Sequence, residues 1–275
     1  MYIIAEIGIN HNGDLQTALD LIKVAKEAGC QCVKFQKRNP DVCVPEEQKN
    51  KPRTFKGEEM TYLEYKKRIE FGQEEYDRIC GFCRELGIDW TVSVWDADSV
   101  KFMTRYIDYI PFIKIPSACI TDMELLDAVN EDLRGLPVVI SNGMSLQSEV
   151  DAAVMRLDNI GAILHCNSSY PSNENELDLN VIQEYKDRYM YLTIGYSGHE
   201  IGTYPTEIAY TLGADLIERH ITLDKNMEGS DHKASLEPDE LKYLINQLKR
   251  IENMKGSMKL HIYPEEEKVR QKLRK

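Results

Sequence analysis

Eight short strand-like runs alternate along the chain with helix-like stretches, and this alternation is what most restricts the fold. A strand that reaches a parallel neighbour through a helix is the βαβ unit, and eight units predict an α/β protein of the (β/α)8 (TIM) barrel type. An open doubly wound sheet is the less favoured alternative, because no glycine-rich dinucleotide motif follows the first run. The runs are YIIAEI (2–7), CVKFQ (32–36), WTVSV (90–94), FIKI (112–115), PVVIS (137–141), AILHC (162–166), LTIGY (192–196) and DLIERH (215–220).

The first and last helices carry clear end signals. Asp14 is a favourable N-cap for a helix over residues 15–28, and Gly29 suits its C-terminal end. Pro238 suits the first position of the last helix, in which apolar residues recur every three or four positions. Both stretches are therefore predicted to pack one apolar face against the sheet.

Polar side chains stand at or just after the carboxyl end of nearly every predicted strand, where (β/α)8 barrels build their active sites. His199 and His220 follow neighbouring strands, and neutral imidazole is the commonest protein ligand for a catalytic divalent metal. Lysines and hydroxyls beside them predict a site for a phosphorylated, anionic substrate next to that metal. The strand-end residues are Glu6, Lys34, Gln36, Ser93, Lys114, Ser117, Ser141, His165 through Ser168, Ser197, His199 and His220.

Glu218 and His165, on the same strands, are expected not to contact the substrate directly. Glu218 shares a strand face with His220, so it either supports the metal site or pairs with a lysine. His165 lies inside an apolar run and is expected to be a hydrogen-bonded packing residue.

Charge and cysteine content exclude several protein classes. The formal net charge is −12 and no block of Lys or Arg is present, which argues against nucleic acid or an anionic membrane surface as the main partner. Seven scattered cysteines indicate reduced thiols rather than a disulfide framework. The first residues lack the features of a signal peptide, and no run approaches the ~20 apolar residues of a transmembrane helix. We therefore expect a soluble cytoplasmic protein.

Several longer motifs resemble those of the N-acetylneuraminate (sialic acid) synthase family, in the family's order from residue 2 to about residue 255. The segments YSGHE, ERHITLDK and RTFKGEEMTYLEYKKRIEF are most similar to the animal-type 9-phosphate synthase branch, which uses a 6-phosphorylated sugar. The motifs that carry the resemblance are AEIGINHNGD, VKFQK, ISNGM, HCNSSYP, GYSGHEIG, ERHITLDKN and GSDHKASLEPDEL.

The resemblance implies a transferase of N-acetylneuraminate biosynthesis. It would condense phosphoenolpyruvate with N-acetylmannosamine, its 6-phosphate or a related acylamino sugar, and release phosphate by C–O cleavage. It also implies that His199 and His220 bind Mn²⁺ or Mg²⁺ and that Glu6, Lys34 and Lys114 are catalytic. The implied phosphoenolpyruvate-binding residues are Lys34, Ser93, Lys114, Ser117, Ser141, Asn167, Ser168 and Ser197, and the implied sugar-binding residues are Gln36, Tyr170 and Asp231.

Two positions depart from the family pattern. In IPSACI, Cys119 stands where the family has a carboxylate that contacts the sugar, which leaves the identity of the sugar open. In HCNS, an asparagine replaces the threonine of the family's HCTS, so that either Asn167 or Ser168 would contact the phosphate.

The domain organisation also follows from the resemblance. Residues 1–256 are predicted to form the synthase barrel, and residues 257–275 a linker or tail. Family members usually continue into an antifreeze-like domain. Either this domain is absent from the protein or the sequence stops before it, and a separate protein carrying such a domain is a candidate partner. The resemblance also implies a homodimer.

A polar insertion over residues 44–72 follows the second predicted strand. It is predicted to be either a solvated loop and helix or a lid over the barrel mouth. As a lid, it would bring Lys51, Arg53 or Lys56 within reach of a sugar phosphate.

Two other functions stay open from the sequence. On the same barrel, Lys34 or Lys114 could form a Schiff base with a carbonyl substrate, as in class I aldolases and lyases. A non-catalytic barrel that binds a sugar phosphate, or that serves as a partner subunit, is the second alternative, and Cys119 and the missing domain favour it.

Overall fold

The computed structural model describes residues 1–274, and eight of the ten strands in that range close into a parallel barrel. The strands are β1 (Tyr2–Gly8), β2 (Cys32–Lys37), β3 (Pro52–Phe55), β4 (Glu58–Thr61), β5 (Asp89–Val94), β6 (Ile113–Ile115), β7 (Val138–Ser141), β8 (Ile160–Cys166), β9 (Thr193–Gly198) and β10 (Leu216–His220). The order around the barrel is β1, β10, β9, β8, β7, β6, β5, β2. The predicted (β/α)8 barrel is confirmed, and closure excludes the open sheet.

Helices follow the barrel strands, and the predicted end signals of two of them are confirmed. The Asp14 carboxylate accepts a hydrogen bond from the Thr17 backbone at 2.6 Å, and Gly29 ends the helix with a φ of 100°. The helices are α1 (Leu15–Ala28), α2 (Pro40–Cys43), α3 (Glu46–Lys49), α4 (Tyr62–Ile69), α5 (Gln73–Leu86), α6 (Ala97–Met103), α7 (Met123–Asp132), α8 (Gln147–Arg156), α9 (Val181–Arg188), α10 (Tyr204–Thr211), α11 (Pro238–Lys255) and α12 (Pro264–Leu273), with short 3₁₀ turns at Thr104–Tyr106, Ser117–Cys119, Glu174–Glu176 and His232–Ala234.

Inside the barrel, apolar residues fill the amino-terminal end and polar residues the carboxyl-terminal end. Side chains two positions apart share a strand face, so Ile4 and Glu6 both point inward from β1, as do Leu216 and Glu218 from β10. The polar side chains are thus left at the end where the loops that follow the strands converge. The inner apolar cluster consists of Ile4, Cys32, Phe112, Val139, Ala162, Leu164 and Leu216.

The insertion after β2 is more ordered than the predicted solvated loop and helix. It contains an antiparallel hairpin of β3 and β4, which the sequence analysis missed, followed by α4. Phe55, Tyr65 and Ile69 pack with Ile9 in a small buried cluster of their own. The Lys56 backbone also donates a hydrogen bond to Glu228 at 2.9 Å. The insertion is therefore anchored on the loops after β1 and β10, at the mouth of the barrel.

Residues 256–274 are exposed except for half-buried Glu267, and α12 has no buried residue. The division of the chain at residue 256 stays a prediction. Within residues 1–274, no helix combines the length and the apolar composition needed to cross a bilayer.

His11 makes the fold sensitive to acid. Its ring stacks on Phe71 with centroids 3.9 Å apart, and its Nδ1 accepts a hydrogen bond from the Gly13 backbone at 3.1 Å. Burial lowers the pKa of His11 to about 3, so the folded state holds the neutral ring while the unfolded chain takes up a proton near pH 6.5. Stability from this group is complete above pH 6.5 and is lost as the pH falls towards 3.

We expect the free energy of unfolding to fall by about 1.0 kcal/mol between pH 6.5 and 5.5 because of His11 alone. Urea unfolding of the wild type and the His11→Gln variant at both pH values measures this contribution. A pH dependence that is unchanged in His11→Gln would contradict it.

Candidate active site

The parallel register sets the polar strand ends side by side at the carboxyl-terminal end of the barrel. Glu6 is paired with His220 on one side and with Lys34 on the other, and Ser93 is paired with Lys114. Every predicted site residue except Asn167 and Asp231 lines one cavity there. These lining residues are Glu6, Lys34, Gln36, Ser93, Lys114, Ser117, Ser141, Ser168, Tyr170, Ser197, His199 and His220.

The two remaining residues lie just outside this cavity. The Asn167 amide donates to the Glu176 carbonyl at 3.0 Å and accepts from the Ser169 backbone at 2.9 Å, so its side chain is turned into a neighbouring cavity. Of the two alternatives left open by HCNS, only Ser168 lines the main cavity. Asp231 lies behind His220, with a carboxylate oxygen 3.9 Å from Nδ1 of that ring.

Four buried charges form a network at the base of the cavity. Lys34 Nζ lies 2.8 Å from a Glu6 oxygen and 3.5 Å from a Glu218 oxygen. Lys114 Nζ lies 2.9 Å from the other Glu218 oxygen, and the Ser197 hydroxyl donates to Glu218 at 3.1 Å. Glu218 therefore bridges both lysines, which is the pairing role expected of it as one of two alternatives.

Burial and ion pairing shift the pKa values of these four groups in different directions. Burial would raise the pKa of Glu218, but Lys114 and Lys34 hold it well below its usual range. Burial raises the pKa of Glu6 to about 7 even though Lys34 opposes the rise. Burial also lowers the pKa of Lys114 against the effect of Glu218, whereas in Lys34 the two carboxylates outweigh burial and raise the pKa. The charge of Glu6 is balanced less than that of Glu218. Its cationic partner, Lys34, also pairs with Glu218, whereas Glu218 is paired with Lys114 as well.

The charge states of Lys34 and Lys114 decide which of them could act as the Schiff-base lysine of an aldolase. A lysine that forms a Schiff base must be a neutral amine, and its pKa is lowered to make it so. The pKa of Lys34 is raised, so Lys34 stays an ammonium group. Burial lowers the pKa of Lys114 although ionised Glu218 opposes the fall, so Lys114 is the lysine of the two that meets this condition.

The two histidines lie beside each other in the wall of the cavity. His199 donates from Nδ1 to the Asn167 carbonyl at 2.6 Å, which leaves the Nε2 lone pair directed at the Tyr170 hydroxyl, 2.8 Å away. Nδ1 of His220 is buried and has no hydrogen-bond partner within residues 1–274. Burial lowers the pKa of His220 to about 4, so this ring is neutral, and the two rings lie 5.4 Å apart.

The two imidazoles fit a divalent metal as partial ligands. No group of three His, Cys, Asp or Glu side chains within the described residues is arranged to hold an ion. A metal at this pair would therefore take its remaining ligands from water and substrate, which is the open coordination of catalytic sites.

Two residues of the cavity wall could not be predicted from polar side chains at strand ends. Trp95 and Met144 line the cavity, and both are largely apolar. Cys166, which belongs to the predicted strand-end set His165 through Ser168, also lines the cavity, with its sulfur 3.6 Å from Nδ1 of His199. Cys119 does not line the cavity, and its thiol faces the Trp95 carbonyl at 3.8 Å. His165 bonds to the Leu177 carbonyl at 2.6 Å, as expected of a packing residue.

Gly143 allows the hydroxyls of two cavity serines to lie close to its Cα. A Cβ at this position would overlap Ser168 Oγ and lie 2.9 Å from Ser117 Oγ. Both hydroxyls would have to rotate away from an added methyl group, and Ser117 Oγ would lose the hydrogen bond that it accepts from the Gly143 backbone at 3.0 Å. We expect Gly143→Ala to raise the KM for an anionic substrate by about 10-fold or more, because hydrogen bonds to a charged ligand are lost.

Steady-state kinetics and a melting curve measure the two effects separately. Gly81→Ala is the matched control, since a Cβ at Gly81 meets nothing within 4 Å. An unchanged KM in Gly143→Ala would contradict a role for these hydroxyls in binding the substrate.

Comparison with known proteins finds similarity along the whole barrel. The model of the NeuB family matches residues 21–260. The N-acetylneuraminate-9-phosphate synthase of Drosophila melanogaster is 41% identical over 252 residues, which cover 89% of this chain but only 66% of that protein. The human N-acetylneuraminate-9-phosphate synthase is 38% identical, with 100% of this chain and 76% of the human protein covered.

A solved structure is similar in fold as well as in sequence. The N-acetylneuraminic acid (sialic acid) synthetase from Leptospira borgpetersenii serovar Hardjo-bovis, in complex with citrate, matches with a TM-score of 0.87 and 32% identity. The alignment covers 100% of this chain and 93% of that one. The names of these relatives differ in one respect, since the animal products carry a phosphate and the bacterial product does not.

Proposed function

The chain belongs to the NeuB family, and on this premise we propose that it is a metal-dependent nonulosonate (sialic acid-type) synthase. It condenses phosphoenolpyruvate with N-acetylmannosamine, its 6-phosphate or a related acylamino sugar, and it releases phosphate. The observation that carries the proposal is one cavity in which two buried lysines and several serine hydroxyls face a pair of histidines. Cations and hydroxyls suit a phosphorylated carboxylate, and the histidines suit a metal.

Lys34 and Lys114 hold the anionic groups of phosphoenolpyruvate in this proposal. Each is buried and paired with Glu218, so each is held in place before the substrate arrives. Fixed charges of this kind stabilise charge that develops in the transition state without further reorganisation. The cavity serines add hydrogen bonds to the phosphate and the carboxylate.

His199 and His220 would hold Mn²⁺ or Mg²⁺, which supplies Lewis-acid polarisation of the sugar aldehyde when bound. The electron pair of the C2=C3 double bond of phosphoenolpyruvate forms a bond from C3 to the aldehyde carbon, whose C=O π bond opens onto the oxygen. Water adds at C2, and Glu6 accepts its proton and passes it to the aldehyde oxygen, since a carboxyl group with a pKa of about 7 exchanges protons at neutral pH. The C2–O bond to phosphate then breaks, C2 becomes a ketone, and the remaining hydroxyl proton leaves with phosphate. Gln36 donates to Glu6 at 3.1 Å and keeps that carboxylate oriented.

Metal removal is expected to abolish turnover. The test incubates the protein with phosphoenolpyruvate and each acylamino sugar, with Mn²⁺ or with EDTA, and measures phosphate release and product mass. We expect release with Mn²⁺ and one class of sugar, a loss of about 10³-fold or more with EDTA because several kcal/mol of barrier lowering are removed, and recovery when metal is restored. Release that persists after EDTA treatment and dialysis would contradict the metal assignment.

The aldolase and non-catalytic alternatives predict other outcomes of the same experiment. Borohydride would trap pyruvate on a lysine in a Schiff-base enzyme, and it is expected to trap nothing here. A non-catalytic barrel would release no phosphate with any sugar.

We further propose that the protein works in the cytoplasm as a homodimer on small-molecule substrates. All seven cysteines are free thiols in the structure, which suits a reducing compartment. Sedimentation at micromolar concentration tests the dimer.

A further inference from the structure

Two cysteine thiols from different loops converge on one backbone carbonyl. Cys43 is the last residue of α2, which follows β2, and Cys119 is the last residue of the 3₁₀ turn that follows β6. The carbonyl oxygen of Trp95 lies 3.6 Å from the sulfur of Cys43 and 3.8 Å from the sulfur of Cys119. Because both sulfurs contact the same oxygen atom, the two thiols are close neighbours.

The strand order of the barrel explains why these thiols meet. β5 lies between β2 and β6, and Trp95 is the first residue after β5. The loops that follow adjacent strands are neighbours at the carboxyl-terminal end of the barrel. Cys43 and Cys119 therefore approach the loop after β5 from opposite sides. A bond between their sulfurs would join the loops after β2 and β6 across it.

The two thiols differ in their access to solvent. Cys43 is half-buried, whereas Cys119 is only 7% exposed. A small oxidant in solution would therefore meet Cys43 first, and Cys119 would be the thiol that reacts second. Cys80, on α5, is the other half-buried cysteine, and it does not line the cavity.

The surroundings of the pair keep both thiols protonated in the reduced protein. Burial raises the pKa of Cys119 to about 12. Burial and the Asp96 carboxylate, 3.0 Å from its sulfur, raise the pKa of Cys43 as well. The charge of Arg38 opposes both rises. Since the thiolate is the reactive form, the pair suits a slow response to sustained oxidation.

We propose that Cys43 and Cys119 form a reversible disulfide that weakens substrate binding under oxidising conditions. This inference goes beyond the proposed function, because it assigns a modification site and a means of control. The oxidant is a small-molecule disulfide. Its S–S bond breaks when the Cys43 thiolate attacks one of its sulfurs, and one thiol leaves.

The second step closes the cross-link. The Cys119 thiolate attacks the sulfur of Cys43, the bond between the two protein sulfurs forms, and the second small thiol leaves. The protons of the two protein thiols pass to the two leaving thiolates. Two protein sulfurs are thus oxidised while the two sulfurs of the small disulfide are reduced.

The cross-link would change the shape of the cavity wall. The sulfurs of a disulfide are only about 2 Å apart, so both must leave the Trp95 carbonyl and approach each other. Rotation about the Cα–Cβ bond moves each sulfur by up to about 3 Å, and movement of the loops closes any remaining distance. The turn of Cys119 also carries Ser117, whose hydroxyl accepts from the Gly143 backbone at 3.0 Å. Trp95 and Ser117 both line the cavity, so an anionic substrate would be bound more weakly.

The first measurement detects the cross-link itself. The wild type, Cys43→Ser, Cys119→Ser and Cys80→Ser are incubated with oxidised glutathione until the number of free thiols is constant, then digested without reduction and mapped by mass spectrometry. We expect a peptide linked through Cys43 and Cys119 in the wild type and in Cys80→Ser, and its loss after dithiothreitol. Serine can still donate to the Trp95 carbonyl, so the variants should keep the Tm of the reduced wild type.

The second measurement asks whether the cross-link acts on the cavity. We expect oxidation to lower the affinity for phosphoenolpyruvate, measured by calorimetric titration, by about 10-fold or more in the wild type and in Cys80→Ser. Dithiothreitol should restore it, and oxidation should change Cys43→Ser less than about twofold. Phosphate release at low phosphoenolpyruvate concentration should follow the same pattern.

Each other outcome overturns the proposal. A mixed disulfide on Cys43 without a bond to Cys119, or no oxidation at either residue, would exclude the cross-link. A cross-linked protein with unchanged affinity would exclude a role in control. A loss of affinity that persists in Cys43→Ser would place the sensitive thiol elsewhere, as at Cys166 in the cavity wall. If the reduced protein releases no phosphate, the synthase proposal fails, but the mass spectra and the titration still decide this one.

Discussion

Phosphate release from phosphoenolpyruvate is expected to fall by about 10³-fold or more when His220 is replaced by alanine, because a catalytic metal contributes several kcal/mol of barrier lowering. The same loss is expected for His199→Ala. Both rings lie at the barrel mouth, where side chains serve chemistry more than packing, so the fold should survive. Nδ1 of His220 has no hydrogen-bond partner within residues 1–274, and its replacement therefore breaks no internal hydrogen bond at that atom.

Metal binding gives a readout that does not depend on turnover. Free Mn²⁺ is measured by electron paramagnetic resonance during titration of the wild type, each histidine variant and His261→Ala. His261 is an exposed histidine beyond α11 and serves as the control. We expect Mn²⁺ affinity to fall in both site variants and to be unchanged in the control. Normal affinity and normal turnover in His220→Ala would refute the assignment of the metal site.

The Arg219→Met variant is expected to lower the free energy of unfolding by about 3–5 kcal/mol, the usual effect of breaking a buried ion pair. Arg219 and Glu200 are both fully buried, and Nη1 of the arginine lies 2.9 Å from the carboxylate. The arginine also donates to the backbone carbonyls of Glu200 and Gly202 at 2.7 and 2.8 Å. It thereby fixes the loop that carries His199, so weaker Mn²⁺ binding should accompany the loss of stability.

The double variant Arg219→Met, Glu200→Gln separates the two effects. It removes the uncompensated carboxylate, and we expect it to recover a large part of the lost stability in urea unfolding. The loop contacts of the arginine stay absent, so Mn²⁺ affinity should stay low. A single variant as stable as the wild type would contradict a structural role for the pair.

Much of the barrel and its site could be predicted because both follow from strand periodicity. Alternation along β1 and β10 puts Glu6, Glu218 and His220 on the inner face, and parallel pairing then brings them beside Lys34. The length and order of the apolar runs sufficed for these steps, and all eight predicted strands are confirmed.

Residues beyond the strand ends could not be placed in this way. In the loop after β8, hydrogen bonds with Glu176 and Ser169 turn the Asn167 side chain away from the main cavity. The periodicity of the strands does not specify these loop contacts. The buried position of Lys66 was missed because α4 is rich in charge and resembles a solvated helix in sequence. Its burial follows from the way the hairpin of β3 and β4 and α4 pack against the loops of the barrel, which is a tertiary effect.

The most direct test of the central claim is turnover of phosphoenolpyruvate carrying ¹⁸O in the bridging C–O–P position, with Mn²⁺ and N-acetylmannosamine 6-phosphate or N-acetylmannosamine. Mass spectrometry of both products reports which bond breaks. We predict that the label leaves in phosphate and that the organic product has the mass of a nonulosonate or its phosphate. Label retained in the organic product, or no condensation product with any acylamino sugar, would contradict the account.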